Sequence, residues 1–158
     1  MPKQSAGESV IARNRRAWHE YHVLEEYEAG LELHGTEVRS LRQGGAQIGE
    51  AYVRIERGEA WLLGAHIQPY QFGNRQNHEP GRPRRLLLHR REISHLAGMV
   101  KQPGLTMIPL DLHLSGNRVK VRLGVCRGKR EYDKRQALME REAAREVQRG
   151  LARAWRHG

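Results

Sequence analysis

The stretch "LTMIPLDLHLSGNRVKVRLGV" (Leu105–Val125) carries an apolar residue at every second position on both sides of Ser115-Gly116-Asn117. Ile108, Leu110, Leu112 and Leu114 share one face of its first half; Val119, Val121, Leu123 and Val125 share one face of its second. A period of two is that of a half-buried strand, and Ser-Gly-Asn is turn chemistry, so the two halves predict an antiparallel hairpin. Opposite the valines stand Arg118, Lys120 and Arg122, three cations about 6–7 Å apart. That spacing suits successive phosphates of a nucleic-acid strand.

Upstream, "AYVRIE" (Ala51–Glu56) and "EAWLLGA" (Glu59–Ala65) flank Arg57-Gly58, with glycine where a tight turn needs positive φ. "YHVLEEYE" (Tyr21–Glu28) reads as a strand with Tyr21, Val23, Glu25 and Tyr27 on one face. "GTEVRSLRQGG" (Gly35–Gly45) predicts a short helix with Thr36 as N-cap, Val38 and Leu41 inward, and Gly44 at the left-handed end. Ile93, Leu96, Ala97 and Val100 mark a second, amphipathic helix. Gln68–Arg84 is rich in Gly, Pro and Asn and predicts a long loop, functional or disordered. Short strands, hairpins and two helices without a βαβ rhythm give a mostly β fold: a five- or six-stranded OB-type antiparallel barrel with flanking helices. The expected organisation is a disordered arm at 1–12, an RNA-binding barrel at 13–127 and a basic tail at 128–158.

Charge supplies the class of partner. The 158 residues hold 28 Lys+Arg against 18 Asp+Glu, a net +10, which points to a polyanion. Residues 127–158 carry 10 of those cations and 5 of the acids, so one fifth of the chain holds half the excess. No apolar run approaches a membrane span, and the N-terminus lacks the apolar core of a signal peptide. Cys126 is the sole cysteine, which excludes internal disulfides and fits a reducing cytoplasm.

Catalytic motifs are missing: there is no HExxH, GxSxG, GxxxxGK[ST] or GxGxxG. His19 and His22, three apart across the start of a strand, point in opposite directions or sit on different elements, and read as surface histidines rather than metal ligands. Glu26 and Glu28 share a strand face. Such a pair can hold Mg²⁺ in a nuclease, but the abundant arginines favour ordinary ion pairs, so the expectation is no enzyme, no metal and no cofactor. "ARNRRAWHEYH" (Ala12–His22) sets Asn14, Arg15 and Arg16 beside Trp18, His19 and Tyr21, a mixture suited to unstacked RNA bases. Trp18 reads equally as a core residue. In the tail, Ala143, Ala144, Val147, Leu151, Ala154 and Trp155 form one helical stripe, and Arg141, Arg145 and Arg149 a spine joined by Arg156. Like charges at i,i+4 and Gly150 weaken an isolated helix. The tail is therefore expected to be disordered alone and helical where phosphates neutralise the spine.

Six segments in order resemble the SmpB family, the SsrA-binding proteins that partner transfer-messenger RNA in bacterial ribosome rescue. They are "NRRAWHEY" (Asn14–Tyr21), "EYEAGLELHGTEVRSLR" (Glu26–Arg42), "RPRRLLLHRREI" (Arg82–Ile93), "GLTMIPLDL" (Gly104–Leu112), "RVKVRLGVCRGKREYDKR" (Arg118–Arg135) and the basic tail. The resemblance implies an OB-type barrel that grips the tRNA-like domain and delivers it to ribosomes stalled on truncated messages. It implies indirect links, through the RNA, to elongation factor Tu and alanyl-tRNA synthetase. It puts RNA-binding residues at Glu28, Leu87 and His89, with Asn14 and Arg15 in the same region, and a decoding-centre residue at His19. Asp133, Lys134 and Arg135 match the family's "DKR", needed for accommodation. Lys129, Arg130, Tyr132, Arg141, Arg145 and Arg149 complete the ribosome-facing set in a tail that enters the empty mRNA channel. His89 stands where many members have asparagine, and Arg39 and Arg130 replace common lysines. The protein is expected to be a monomer. A general OB-type RNA chaperone shares the charge and architecture but not the ordered motifs.

Overall fold

The computed structural model describes residues 8–157, and the side chains of 9–73, 75–129 and 137–151. The expected hairpin is its longest ladder: β8 (Leu105–Ser115) turns through Gly116, at φ 62°, into β9 (Arg118–Gly128). Outside β9 lies β2 (Tyr21–Leu31), then β7 (Arg84–Leu87), β5 (Glu59–Leu63) and β4 (Tyr52–Glu56). β4 pairs back onto β8 at Val53 and Met107, so the antiparallel strands β8-β4-β5-β7-β2-β9 close on themselves as a barrel. The turn from β4 to β5 is Arg57-Gly58, at φ 52° and 75°, the left-handed pair a two-residue hairpin needs. β1 (Glu8–Arg13) adds a strand beside β8. A small ladder of β3 (Ala46–Gln47) and β6 (His66–Ile67) lies apart from the ring.

Four helices attach to this frame: α1 (Arg15–Glu20), α2 (Gly35–Arg42), α3 (Arg90–Met99) and α4 (Lys129–His157). The barrel interior is filled from all six strands of the ring, with Ala29, Val53, Leu62, Leu86, Leu112, Val121 and Leu123 all buried. Ile93 and Leu96 are the buried residues of α3, as their spacing predicts. α4 is helical, and its described side chains at 137–151 are all exposed, so the barrel gives that stretch no packing.

The expected disordered arm at 1–12 is corrected from residue 8 onward. Glu8–Arg13 is a strand because the outer edge of β8 from Asp111 to Ser115 offers unpaired backbone that β1 satisfies. Residues 1–7 lie outside the described residues. Segment 15–20, which had no element assigned, is a helix capped by Asn14.

The single apolar face expected for Ile108–Leu114 divides in two. β8 carries an extra residue between Pro109 and Asp111, and β2 carries one between Val23 and Glu25. Each bulge turns the following side chains to the other face. Ile108 and Leu110 therefore pack outside the barrel with Cys126, Val23, Tyr21 and Ala17 of α1, while Leu112 and Leu114 join the interior. Thr36 is not the cap of α2. His34 takes that place, its N–H donating to Glu37 at 2.8 Å, while the Thr36 hydroxyl meets His78 Nδ1 at 2.9 Å.

Candidate nucleic-acid interface

The outer surface of β7, β2, β9 and β8 changes character along its length. At one end it is apolar and covered by α1. Beyond the bulges it is polar, because antiparallel register sets residues of like orientation side by side. Glu28 stands opposite Arg122, and Arg122 opposite Asp111. In the next row Leu87 stands opposite Gly30, Gly30 opposite Lys120, and Lys120 opposite His113. Gly30 lets Leu87 lie close, since a Cβ there would be 3.2 Å from the Leu87 Cβ. Leu87 itself is 47% exposed. His89 is exposed as N-cap of α3, its N–H bonded to Glu92 at 3.1 Å. The structure thus brings Glu28, Leu87, Lys120 and Arg122 onto one face, with His89 two residues beyond Leu87.

The cations on that face are not the open phosphate rail expected from their spacing. Lys120 Nζ is 3.4 Å from Glu28, and Arg122 Nη1 is 3.7 Å from Asp111 with its side chain only 17% exposed. Carboxylates one strand away match their charge, a pairing that the sequence of β9 alone does not show. Arg118, at the turn, is exposed. Between the acids lies His113, almost wholly buried. Its Nδ1 is 2.7 Å from Asp111, and its Nε2, without a hydrogen-bond partner, is 3.8 Å from Glu28. Such a mosaic of donors and acceptors beside an exposed leucine suits the edges and hydroxyls of a folded RNA better than a run of phosphates. Asp111 and His113 were missed, although they alternate with Leu112 and Leu114, which join the interior, and so face outward with Lys120 and Arg122.

Asn14 is a correction. Its side chain is 2% exposed; Oδ1 accepts from Ala17 N–H at 3.1 Å, and Nδ2 donates to the carbonyls of Pro109 and Ile48 at 2.9 and 3.2 Å. With its polar atoms engaged in capping α1 and tying it to β8, it is a structural residue and not an RNA contact. Arg15 is exposed on α1, as are His19 and, at 46%, Trp18, so Trp18 is not core. Tyr21 pairs with Gly128, which sets the end of α1 beside the start of α4. His19 and Lys129 therefore share one end of the barrel, roughly 20 Å along β2 from Glu28. Arg141, Arg145 and Arg149 are exposed on α4. The side chains of Arg130, Tyr132, Asp133, Lys134, Arg135 and Trp155 lie outside the described residues.

Burial, followed by the nearby Glu26 charge, pushes the Cys126 thiol up to about 12, far from a thiolate at neutral pH. Glu28 is engaged by Lys120, and among the described residues no three His, Cys, Asp or Glu side chains gather as a metal site. The strongest buried electrostatics are structural. Glu37 is 0% exposed and is bonded by Arg82 and by Arg84 Nε, the latter at 2.5 Å and also fully buried. Burial pushes the Glu37 carboxyl up, but the bonds from Arg82, the His34 N–H and Arg84 outweigh it and hold the carboxyl below its ordinary value.

The profile described as SmpB protein matches residues 11–153. The SsrA-binding protein of Carboxydothermus hydrogenoformans is 52% identical over 144 residues, covering 91% of this chain and 97% of that protein. That of Roseiflexus castenholzii is 51% identical over 158 residues, covering 99% and 100%. A chain in a solved structure described as "tmRNA-SmpB: a journey to the center of the bacterial ribosome" is 46% identical and aligns with a TM-score of 0.64, covering 75% of this chain and 83% of that one. With ordered motifs, a closed barrel and these likenesses in agreement, the chain belongs to the SmpB family.

Proposed function

We infer that this protein binds the tRNA-like domain of transfer-messenger RNA and delivers it to stalled ribosomes for trans-translation, so that the nascent peptide is tagged. The observation that carries the reading is the division of the surface. A polar face centred on Glu28 lies on one part of the barrel, and His19 with the root of α4 lies about 20 Å away along β2. One RNA held at the first place leaves the second free for the ribosome. In this reading Glu28, Leu87 and His89 read the RNA, with Lys120 orienting Glu28, Arg15 nearby and Arg118 open to phosphate. His19 faces the decoding centre. Lys129, Arg130, Tyr132, Asp133, Lys134 and Arg135 form the hinge, and Arg141, Arg145 and Arg149 line the helix that enters the vacant mRNA channel. The protein works in the cytoplasm as a monomeric binding protein with no reaction of its own. It meets elongation factor Tu and alanyl-tRNA synthetase through the RNA.

The test is a divided one. Glu28→Ala combined with Leu87→Ala weakens the complex with the tRNA-like domain by about tenfold or more, the scale of a lost charged hydrogen bond. Replacing Asp133, Lys134 and Arg135 with alanine leaves that affinity unchanged and abolishes peptide tagging in a reconstituted system. Equal affinity for the first variant removes the binding face from the reading, and normal tagging by the second removes the tail.

A further inference from the structure

The loop expected at Gln68–Arg84 is neither disordered nor loose. The Asn77 side chain clamps the Tyr70 backbone from both sides, accepting its N–H at 3.0 Å and donating to its carbonyl at 2.7 Å. The Gly73 N–H also donates to Tyr70 O, at 2.9 Å. His78 is buried and ties the loop down, its Nε2 donating to the Ile67 carbonyl at 2.9 Å and its Nδ1 meeting Thr36 of α2. Gly73 is required for the clamp, because a Cβ there would stand 2.7 Å from Asn77 Nδ2. All this order holds one ring out in solvent: Phe72 is 70% exposed, the most exposed of the large apolar side chains described.

The ring is not alone. It meets Tyr70 edge to face, centroids 5.6 Å apart at 70°, and the Arg39 guanidinium lies 5.8 Å from the Tyr70 centroid. Arg39, Arg42 and Arg75 are exposed, Arg39 lies in the cleft lined by Phe72, and the acid that α2 carries, Glu37, is buried between Arg82 and Arg84. Residues 66–78 contain no Asp or Glu, and Glu79, which follows them, is exposed and lines the cleft beside Phe72 together with Arg39 and Arg82. A rigidly presented ring pair with an arginine on its flank, in a field of positive charge, has the chemistry that takes a flat, electron-rich group attached to a phosphate chain. α2 follows the Leu31 end of β2, whereas His19 and α4 adjoin its Tyr21 end, so this surface is separate from the tail.

We propose that Tyr70, Phe72 and Arg39 form a second RNA-binding site, a preformed platform on which one unpaired nucleobase stacks against the open face of Phe72. The proposal rests on the RNA-binding reading above and adds to it a contact made by residues other than those of the Glu28 face. Phe72 is the chain's only phenylalanine, so labelling with ¹³C-phenylalanine reports on this ring by itself in the full-length protein.

The experiment follows the Phe72 ring signals of labelled full-length protein on addition of a single-stranded RNA 12-mer and, separately, the tRNA-like domain. Dissociation constants for both RNAs are measured at one fixed salt for wild type, Phe72→Ala, Phe72→Leu and Phe72→Trp. Stacking moves the ring protons upfield. With at least one RNA, Phe72→Ala and Phe72→Leu weaken binding about tenfold to a hundredfold, while Phe72→Trp keeps it. Affinities unchanged in Phe72→Ala overturn the platform, and so does a Phe72→Leu protein that binds like wild type, since the site then needs only an apolar group, as a protein partner would. Ring shifts with the 12-mer but no binding of the tRNA-like domain keep the platform and overturn the function proposed above. Binding of the tRNA-like domain with an unmoved ring does the reverse, and failure of both removes both. Phe72 is exposed, so none of these replacements threatens the fold.

Discussion

Glu37 shows how far one residue can depart from its look in the sequence. As the acid in the first turn of a short helix it suits the helix dipole. In the fold it is fully buried, and Arg84 beside it is buried too. Breaking such a pair strands a charge, so Glu37→Gln is expected to lower stability by about 3–5 kcal/mol in urea unfolding at pH 7. Because the folded carboxyl titrates below its ordinary value of 4.5, its contribution is complete above that pH and is lost as pH falls through the folded value. The gap between wild type and Glu37→Gln therefore narrows in acid, and a gap that stays constant from neutral pH to pH 3 counts against this account. Asn14 teaches the same lesson in reverse: among arginines and aromatics it looks like an RNA contact, yet it is consumed by capping. Besides local bonds to Ala17 and His34, both assignments depend on partners at least 34 residues away in sequence, Arg82 and Arg84 for the acid and Pro109 and Ile48 for the amide. Local spacing carries no trace of them.

Elements were far more legible. Alternation located β4, β5, β8, β9 and most of β2, and the Arg57-Gly58 turn, because those signals are local and periodic. The bulges were not legible: an extra residue at Leu24 or Leu110 changes which face is buried without disturbing the alternation as written. That is why the apolar residues beneath α1 were assigned to a single core. α1 was missed because six residues are too few to show a period. α4 was legible as an amphipathic stripe, in a tail expected to be disordered alone, and its stability can be argued from its own sequence. The arginine spine and Gly150 both disfavour it, and the described part receives no packing from the barrel. Gly150→Ala is expected to strengthen the helix by about 1 kcal/mol, raising the helical signal at 222 nm in circular dichroism while leaving the barrel's thermal midpoint unchanged. A shift of that midpoint would mean that α4 leans on the barrel.

At the scale of the molecule, the candidate site was half legible. Lys120 and Arg122 were named from their spacing and Glu28, Leu87 and His89 from the family resemblance; four of the five fall on one face, and Asp111 and His113 complete it only once β8 is seen beside β9. The separation of that face from the tail has a direct consequence for binding. A chain ending at Gly128, where β9 finishes its ladder with Tyr21, retains every described element of the face. Its dissociation constant for the tRNA-like domain, measured against excess generic tRNA at near-physiological salt, is expected to stay within about threefold of the full chain, a change well under 1 kcal/mol. Loss of binding with the tail, or to the competitor, would mean that diffuse positive charge rather than recognition holds the RNA.

The passage from β9 into α4 without a break also has a mechanical meaning. A pull on the tail enters the barrel along β9, and β9 is laddered on both edges, to β2 and to β8, over most of its length. Backbone hydrogen bonds in an antiparallel ladder run across the strand direction, so this load shears both ladders at once instead of peeling them one bond at a time. An anchor of that design lets a helix be tugged, jostled or withdrawn while the domain that holds the RNA keeps its shape.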